Sequence, residues 1–85
     1  MVHRVDCNDP GYLAINQRPT GKLQTMCFAN AGYEKVLIAD VQRMWSGNNS
    51  GYVITNKGRF DFRKGEPIEF LDKIGTVTIW EITID

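Results

Sequence analysis

Eighty-five residues, 42% of them hydrophobic and 24% charged, fit one ordinary globular domain, small enough that only about two thirds of the unfolded surface is buried on folding. Ten basic against ten acidic residues give zero formal net charge, so no overall field draws the chain to nucleic acid or to an anionic membrane. The apolar runs, such as "VLIA" and "VTIW", are too short for a membrane span, and "MVHRVDCNDP" lacks the apolar stretch of a signal peptide, as expected of a cytosolic protein or of a mature form of a secreted one.

Turn formers punctuate the chain, most of them about ten residues apart: "NDPG" at 8–11, "RPTG" at 18–21, "ANAG" at 29–32, "SGNNSG" at 46–51, "NKG" at 56–58 and "RKGEP" at 63–67. Short alternating runs between them predict an all-β sandwich or barrel. In "YLAIN" Leu13 and Ile15 share one face. "EKVLIADVQRMW" also admits a helical reading, with Val36, Leu37, Asp40, Val41 and Met44 as an i, i+4 stripe. "RFDFR" sets Phe60 and Phe62 opposite Arg59, Asp61 and Arg63, a clear period of two.

Sliding the chain against itself by 33 residues superposes Gly32 on Gly65, Leu37 on Phe70, Ile38 on Leu71, Val41 on Ile74 and Met44 on Val77. Two repeats of roughly 40 residues, each with about four short strands, predict two Greek keys around one core.

A glycine after an aromatic and small-residue segment ("CFANAG", "FRKG"), then a fixed interval to an apolar step ("DVQRM", "DKIGTV"), resembles the two motifs of a βγ-crystallin domain. "RVDCND", "YL.I", "CFANAG" and "SGNN" are similar, in order and spacing, to the single-domain antifungal, chitin-binding and killer-toxin-like Streptomyces branch of that family. The likeness is clear from Arg4 to about Tyr52 and weaker to about Trp80; "EITID" has no counterpart. The resemblance implies a βγ-crystallin-like β-sandwich of one domain, with Greek keys at about 4–46 and 51–85 and structural glycines at Gly32 and Gly65. It implies a secreted, non-enzymatic protein without cofactor that binds fungal cell-wall polysaccharide, chitin foremost. Residue composition leaves Cys7 and Cys27 as a disulfide or two thiols; the resemblance implies their pairing, which in a loop of roughly 20 residues stabilises by about 3 kcal/mol.

The stretch "MWSGNNSGYVI" carries the candidate carbohydrate contacts Trp45, Asn48, Asn49 and Tyr52, with Ser50 beside them. A flat aromatic face suits the apolar side of a pyranose, and amides and hydroxyls suit its substituents. The same residues suit a turn joining the two motifs, since Asn and Gly tolerate left-handed backbone angles. In the alternation Met44 faces the core and Trp45 faces out, while Trp80 has no settled side.

Other chemistries have weaker claims. The segments corresponding to crystallin calcium sites read "IADVQR" and "LDKIGT"; Gln42 and Arg43 stand where hydroxyls are expected, and only Asp72 and Thr76 are retained in the second, so no metal is expected. Lys57, Arg59, Arg63 and Lys64 interleave with Phe60 and Phe62, a pattern known from single-strand nucleic-acid surfaces but also from the solvated face of a strand, the reading taken here. His3, the lone histidine, is close to the N-terminus, and Asp40, Glu66, Glu69 and Asp72 are ordinary in number for a soluble domain, so catalysis is not expected. Two further functions stay open. One is an extracellular protease inhibitor presenting Asn16 to Lys22, stiffened by Pro19; the other is a calcium-stabilised structural protein.

Overall fold

The computed structural model describes residues 1–18 and 20–85. Its elements are β1 (His3–Val5), β2 (Leu13–Gln17), β3 (Gln24–Ala29), β4 (Gly32–Trp45), β5 (Gly51–Thr55), β6 (Gly58–Phe62), β7 (Pro67–Glu69), α1 (Leu71–Ile74) and β8 (Val77–Ile84). All pairings are antiparallel, in the order β1-β3-β2-β4-β8-β5-β6, with β7 alongside β4.

The segment that admitted a helix is the 14-residue strand β4. It serves two sheet halves. Gly32 to Lys35 pair with β8, whereas Arg43 to Trp45 pair with β2 on one side and β7 on the other. Pairing with β8 continues through Ile38 to Val41, which also pairs with Gln17 of β2, and just before this overlap Asp40 takes a positive φ of 55° and its carbonyl accepts the Arg18 N–H at 3.1 Å. Register shifts on both sides of Ile38 absorb the bend.

The bend closes both halves over one core. Leu13, Ile15, Phe28, Val41 and Met44 from one half join Val53, Phe62, Val77, Ile79 and Ile82 from the other in a single buried cluster. Alternation supplies this: β2 buries Leu13 and Ile15, β5 buries Val53, and Phe60 packs edge-on against Phe70 with ring centroids 5.1 Å apart. Cys7 and Cys27 are disulfide-bonded, Cα to Cα 5.3 Å, and tie the loop after β1 to β3.

The 33-residue offset does not map core onto core. Leu37 is 78% exposed where Phe70 is buried, and Leu71 and Ile74 are each 42% exposed where Ile38 and Val41 are buried; only Met44 and Val77 agree. The cause is a change of local period. The first copy runs through a strand with a side-chain period of two, the second through the turn of α1 with a period of 3.6. Gly32 and Gly65 both have positive φ, 132° and 68°, but Gly32 opens a strand and Gly65 lies in the turn before β7.

Candidate functional site

The segment 46–50 is a knot of hydrogen bonds. Ser46 is fully buried; its hydroxyl donates to the Arg63 carbonyl at 2.5 Å and accepts the Glu66 N–H at 2.7 Å, tying the end of β4 to the turn between β6 and β7. The Gly65 N–H donates to the Gly47 carbonyl at 2.7 Å, and the Asn48 N–H to the Gly11 carbonyl at 2.9 Å. Gly47 has φ +62°, and a Cβ there would lie 2.4 Å from the Gly11 and Tyr12 carbonyl oxygens, so only glycine fits. Asn49 spends its amide on the Gly11 and Ser46 carbonyls, both at 3.1 Å. Asn48 is exposed.

The structure gathers three of the four proposed sugar contacts, Trp45, Asn48 and Asn49, around Pro10 and Gly11, and places Tyr52 elsewhere. Trp45 is 39% exposed and pairs across the strands with Ala14 and Pro67, on the outer side of the β2–β4–β7 half; its indole N–H donates to the Pro10 carbonyl at 3.2 Å. The next outward row of the same half carries Thr25, Asn16, Arg43 and Glu69, with the Thr25 hydroxyl donating to Asn16 Oδ1 at 2.8 Å and Arg43 Nε 3.4 Å from Glu69. Tyr52 belongs to the other half, between Thr83 and Asp61. The Arg59 guanidinium lies 3.8 Å from its ring centroid and binds Asp61 at 2.9 Å. Of the four, Trp45 and Asn48 are exposed, Tyr52 is half-buried under Arg59, and Asn49 is held in structural bonds.

A second exposed surface escaped the sequence reading. Tyr33, Thr83, Tyr52 and Asp61 form one outward row across β4, β8, β5 and β6; Lys35, Glu81, Ile54 and Arg59 form the next. The Tyr33 hydroxyl donates to Glu81 at 2.5 Å, and this bond to a carboxylate is the main reason the phenol titrates above its ordinary value of 10.0. Trp80 sits at a register shift: it has no counterpart between Ile54 and Thr55 of β5, while Val36 and Leu37 oppose it on β4. A bulge re-aims side chains, and Tyr33, Leu37 and Trp80 are 45%, 78% and 46% exposed. The signal available in "GYEKVLI" was the alternation that sets Tyr33, Lys35 and Leu37 on one side; that of Trp80 was hidden by the bulge.

The remaining candidates gain little. In the segments that correspond to crystallin calcium sites, Arg43 pairs with Glu69 at 3.4 Å and Asp72 lies in the first turn of the exposed α1, and no group of three carboxylate, histidine or cysteine side chains able to hold a metal occurs among the described residues. The proposed inhibitor segment is shorter than expected, since Asn16 and Gln17 belong to β2 and Gln17 is buried; Pro19 lies outside the described residues. Phe62 is buried and Phe60 half-buried, leaving Arg59, Arg63 and Lys64 on the solvated side. Asp61, Glu66 and Glu69 line a cavity of about 460 Å³ together with Phe60, Ile68, Phe70 and Lys73. No helix among the described residues is long and apolar enough to cross a membrane.

An all-antiparallel β-sheet bent so that its two halves close over one core defines a β-protein of the crystallin class. The model of the beta/gamma crystallin family matches residues 16–83, and the chain belongs to that family. Among solved structures it is similar to an antifungal protein from Streptomyces tendae Tu901, determined by NMR, with 30% sequence identity and a TM-score of 0.76 over the whole of both chains. No curated protein matches the chain.

Proposed function

We propose that the chain is a secreted, non-enzymatic antifungal protein that binds fungal cell-wall polysaccharide, chitin foremost, as one domain of two Greek keys at about 4–46 and 51–85. The observation that carries this reading is the end-to-end likeness to the Streptomyces tendae antifungal protein at 30% identity. The Cys7–Cys27 disulfide agrees with an oxidising destination. The exposed indole of Trp45, next to the Asn16 and Arg43 side of the sheet, has the amphipathic character that a pyranose ring requires.

The test pairs inhibition of hyphal growth with retention on insoluble chitin, cellulose and β-1,3-glucan at low and high salt. Growth inhibition with salt-resistant retention on chitin is the expected result. Retention on none of the three polymers overturns the polysaccharide reading, and absence of growth inhibition overturns the antifungal one.

A further inference from the structure

We propose that the outer face of β8 and its neighbours, centred on Tyr33 and Trp80, is a second contact face for uncharged polysaccharide, so that one molecule bridges two polymer chains. This rests on the polysaccharide reading above. Trp45 belongs to the outer side of the β2–β4–β7 half, and Tyr33 and Tyr52 to the outer side of the β4–β8–β5–β6 half. Because the inner sides of both halves meet in one core, the two outer sides look away from each other.

The second face has the makings of a sugar platform. Tyr33 is 45% exposed on the row it shares with Tyr52, and Trp80, at the bulge between the paired residues Ile79 and Glu81 of β8, is 46% exposed, large apolar surface on neighbouring positions rather than a scattered single residue. The rows span four strands, about 15 Å at the usual spacing, wide enough for more than one pyranose ring. Charge decides the occupant. Lys35 and Arg59 are balanced on the same rows by Glu81 and Asp61, and the Arg59–Asp61 bond neutralises one pair outright. A face with no net charge gives a polyanion or an acidic lipid surface nothing to bind, and it suits a neutral ring polymer whose hydroxyl and acetamido groups meet the carboxylates, the guanidinium and the tyrosine hydroxyls. The geometry is set before binding: Glu81 holds the Tyr33 hydroxyl and Arg59 lies over Tyr52, so little side-chain freedom remains to be lost.

Bridging follows from placing both faces on a body of 28 × 26 × 22 Å. Two weak contacts on one rigid unit then act together on an insoluble polymer.

The experiment is an NMR titration of the full 15N-labelled chain with the hexasaccharide of N-acetylglucosamine, read at the indole N–H signals of Trp45 and Trp80. Both signals are expected to move, that of Trp80 also in Trp45→Ala and that of Trp45 also in Trp80→Ala. On colloidal chitin the wild type is expected to flocculate the suspension; each single variant still binds but no longer flocculates, with retention lowered roughly 10²-fold as avidity is lost. Trp80→Phe, which keeps a flat ring, restores flocculation, and Tyr33→Ser loses it independently of Trp80. Movement of the Trp45 signal alone overturns the second face and leaves the polysaccharide reading standing. No movement of either signal and no retention on chitin overturns both.

Discussion

Ser46→Ala separates structural from binding roles within the stretch 45–52. The substitution deletes one oxygen from a fully buried position and strands two backbone groups, the Arg63 carbonyl and the Glu66 N–H. Each buried backbone group left without its partner costs about 1–3 kcal/mol. Arg63 is exposed and Glu66 half-buried, so water relieves part of this and the low end applies, about 2–3 kcal/mol in total. The whole stability expected of a chain of this length is about 4–13 kcal/mol. A loss of that size lowers the melting temperature by roughly 10–20 °C in a domain of this size. The assay is thermal unfolding by circular dichroism, with urea unfolding beside it to check that the denaturant slope is unchanged. Asn48→Ala, on an exposed side chain two residues away, is the control and should stay within about 0.5 kcal/mol of wild type. If Ser46→Ala melts within two or three degrees of the wild type, the hydroxyl does not join the turns as described and the reasoning fails.

Gly47→Ala should fail to fold or melt far below wild type, since its Cβ meets two backbone carbonyl oxygens at 2.4 Å; Gly65→Ala, with open space at φ +68°, should lose only about 1–2 kcal/mol for the left-handed conformation, and comparable losses in the two would contradict the clash. Replacing Cys7 and Cys27 together by alanine should cost about 3 kcal/mol from loop entropy, lowering the melting temperature by roughly 12–24 °C; an unchanged melt would show that the bond does not constrain the unfolded chain. The Tyr33 phenol titrates above 10.0 in the folded protein, so its bond to Glu81 stabilises fully below that pH and is lost as pH rises through the folded value. The difference in urea midpoint between wild type and Tyr33→Phe should therefore shrink on the alkaline side of pH 10.0, and a constant difference would contradict it.

Strands and turns were legible wherever one residue's neighbours in sequence decide its environment. The alternation in "YLAIN" and "RFDFR" placed Leu13, Ile15 and Phe62 in the core, and "SGNNSG" read as a turn because a left-handed backbone at Gly47 is a local demand. The apolar offset of 33 residues failed for the converse reason: identical residue classes change sides when a strand in one copy becomes a helical turn in the other, and Leu71 and Ile74 end in water.

The candidate surfaces were illegible for a related cause. Proximity in sequence brought Trp45 and Tyr52 into one proposed site, yet five residues of tight turn carry the chain from one sheet half to the other, and their side chains join different outer rows. Tyr33 and Tyr52, 19 positions apart in sequence, share a row only because β8 runs between their strands, and Trp80 falls at the bulge that breaks its register, where alternation along the strand assigns it no side. A sandwich whose inner faces are pinned by one core turns every exposed aromatic toward one of two opposite sides. In this family the question to ask of an aromatic is therefore which sheet half carries it, and that is set by pairing across the core rather than by its sequence neighbours.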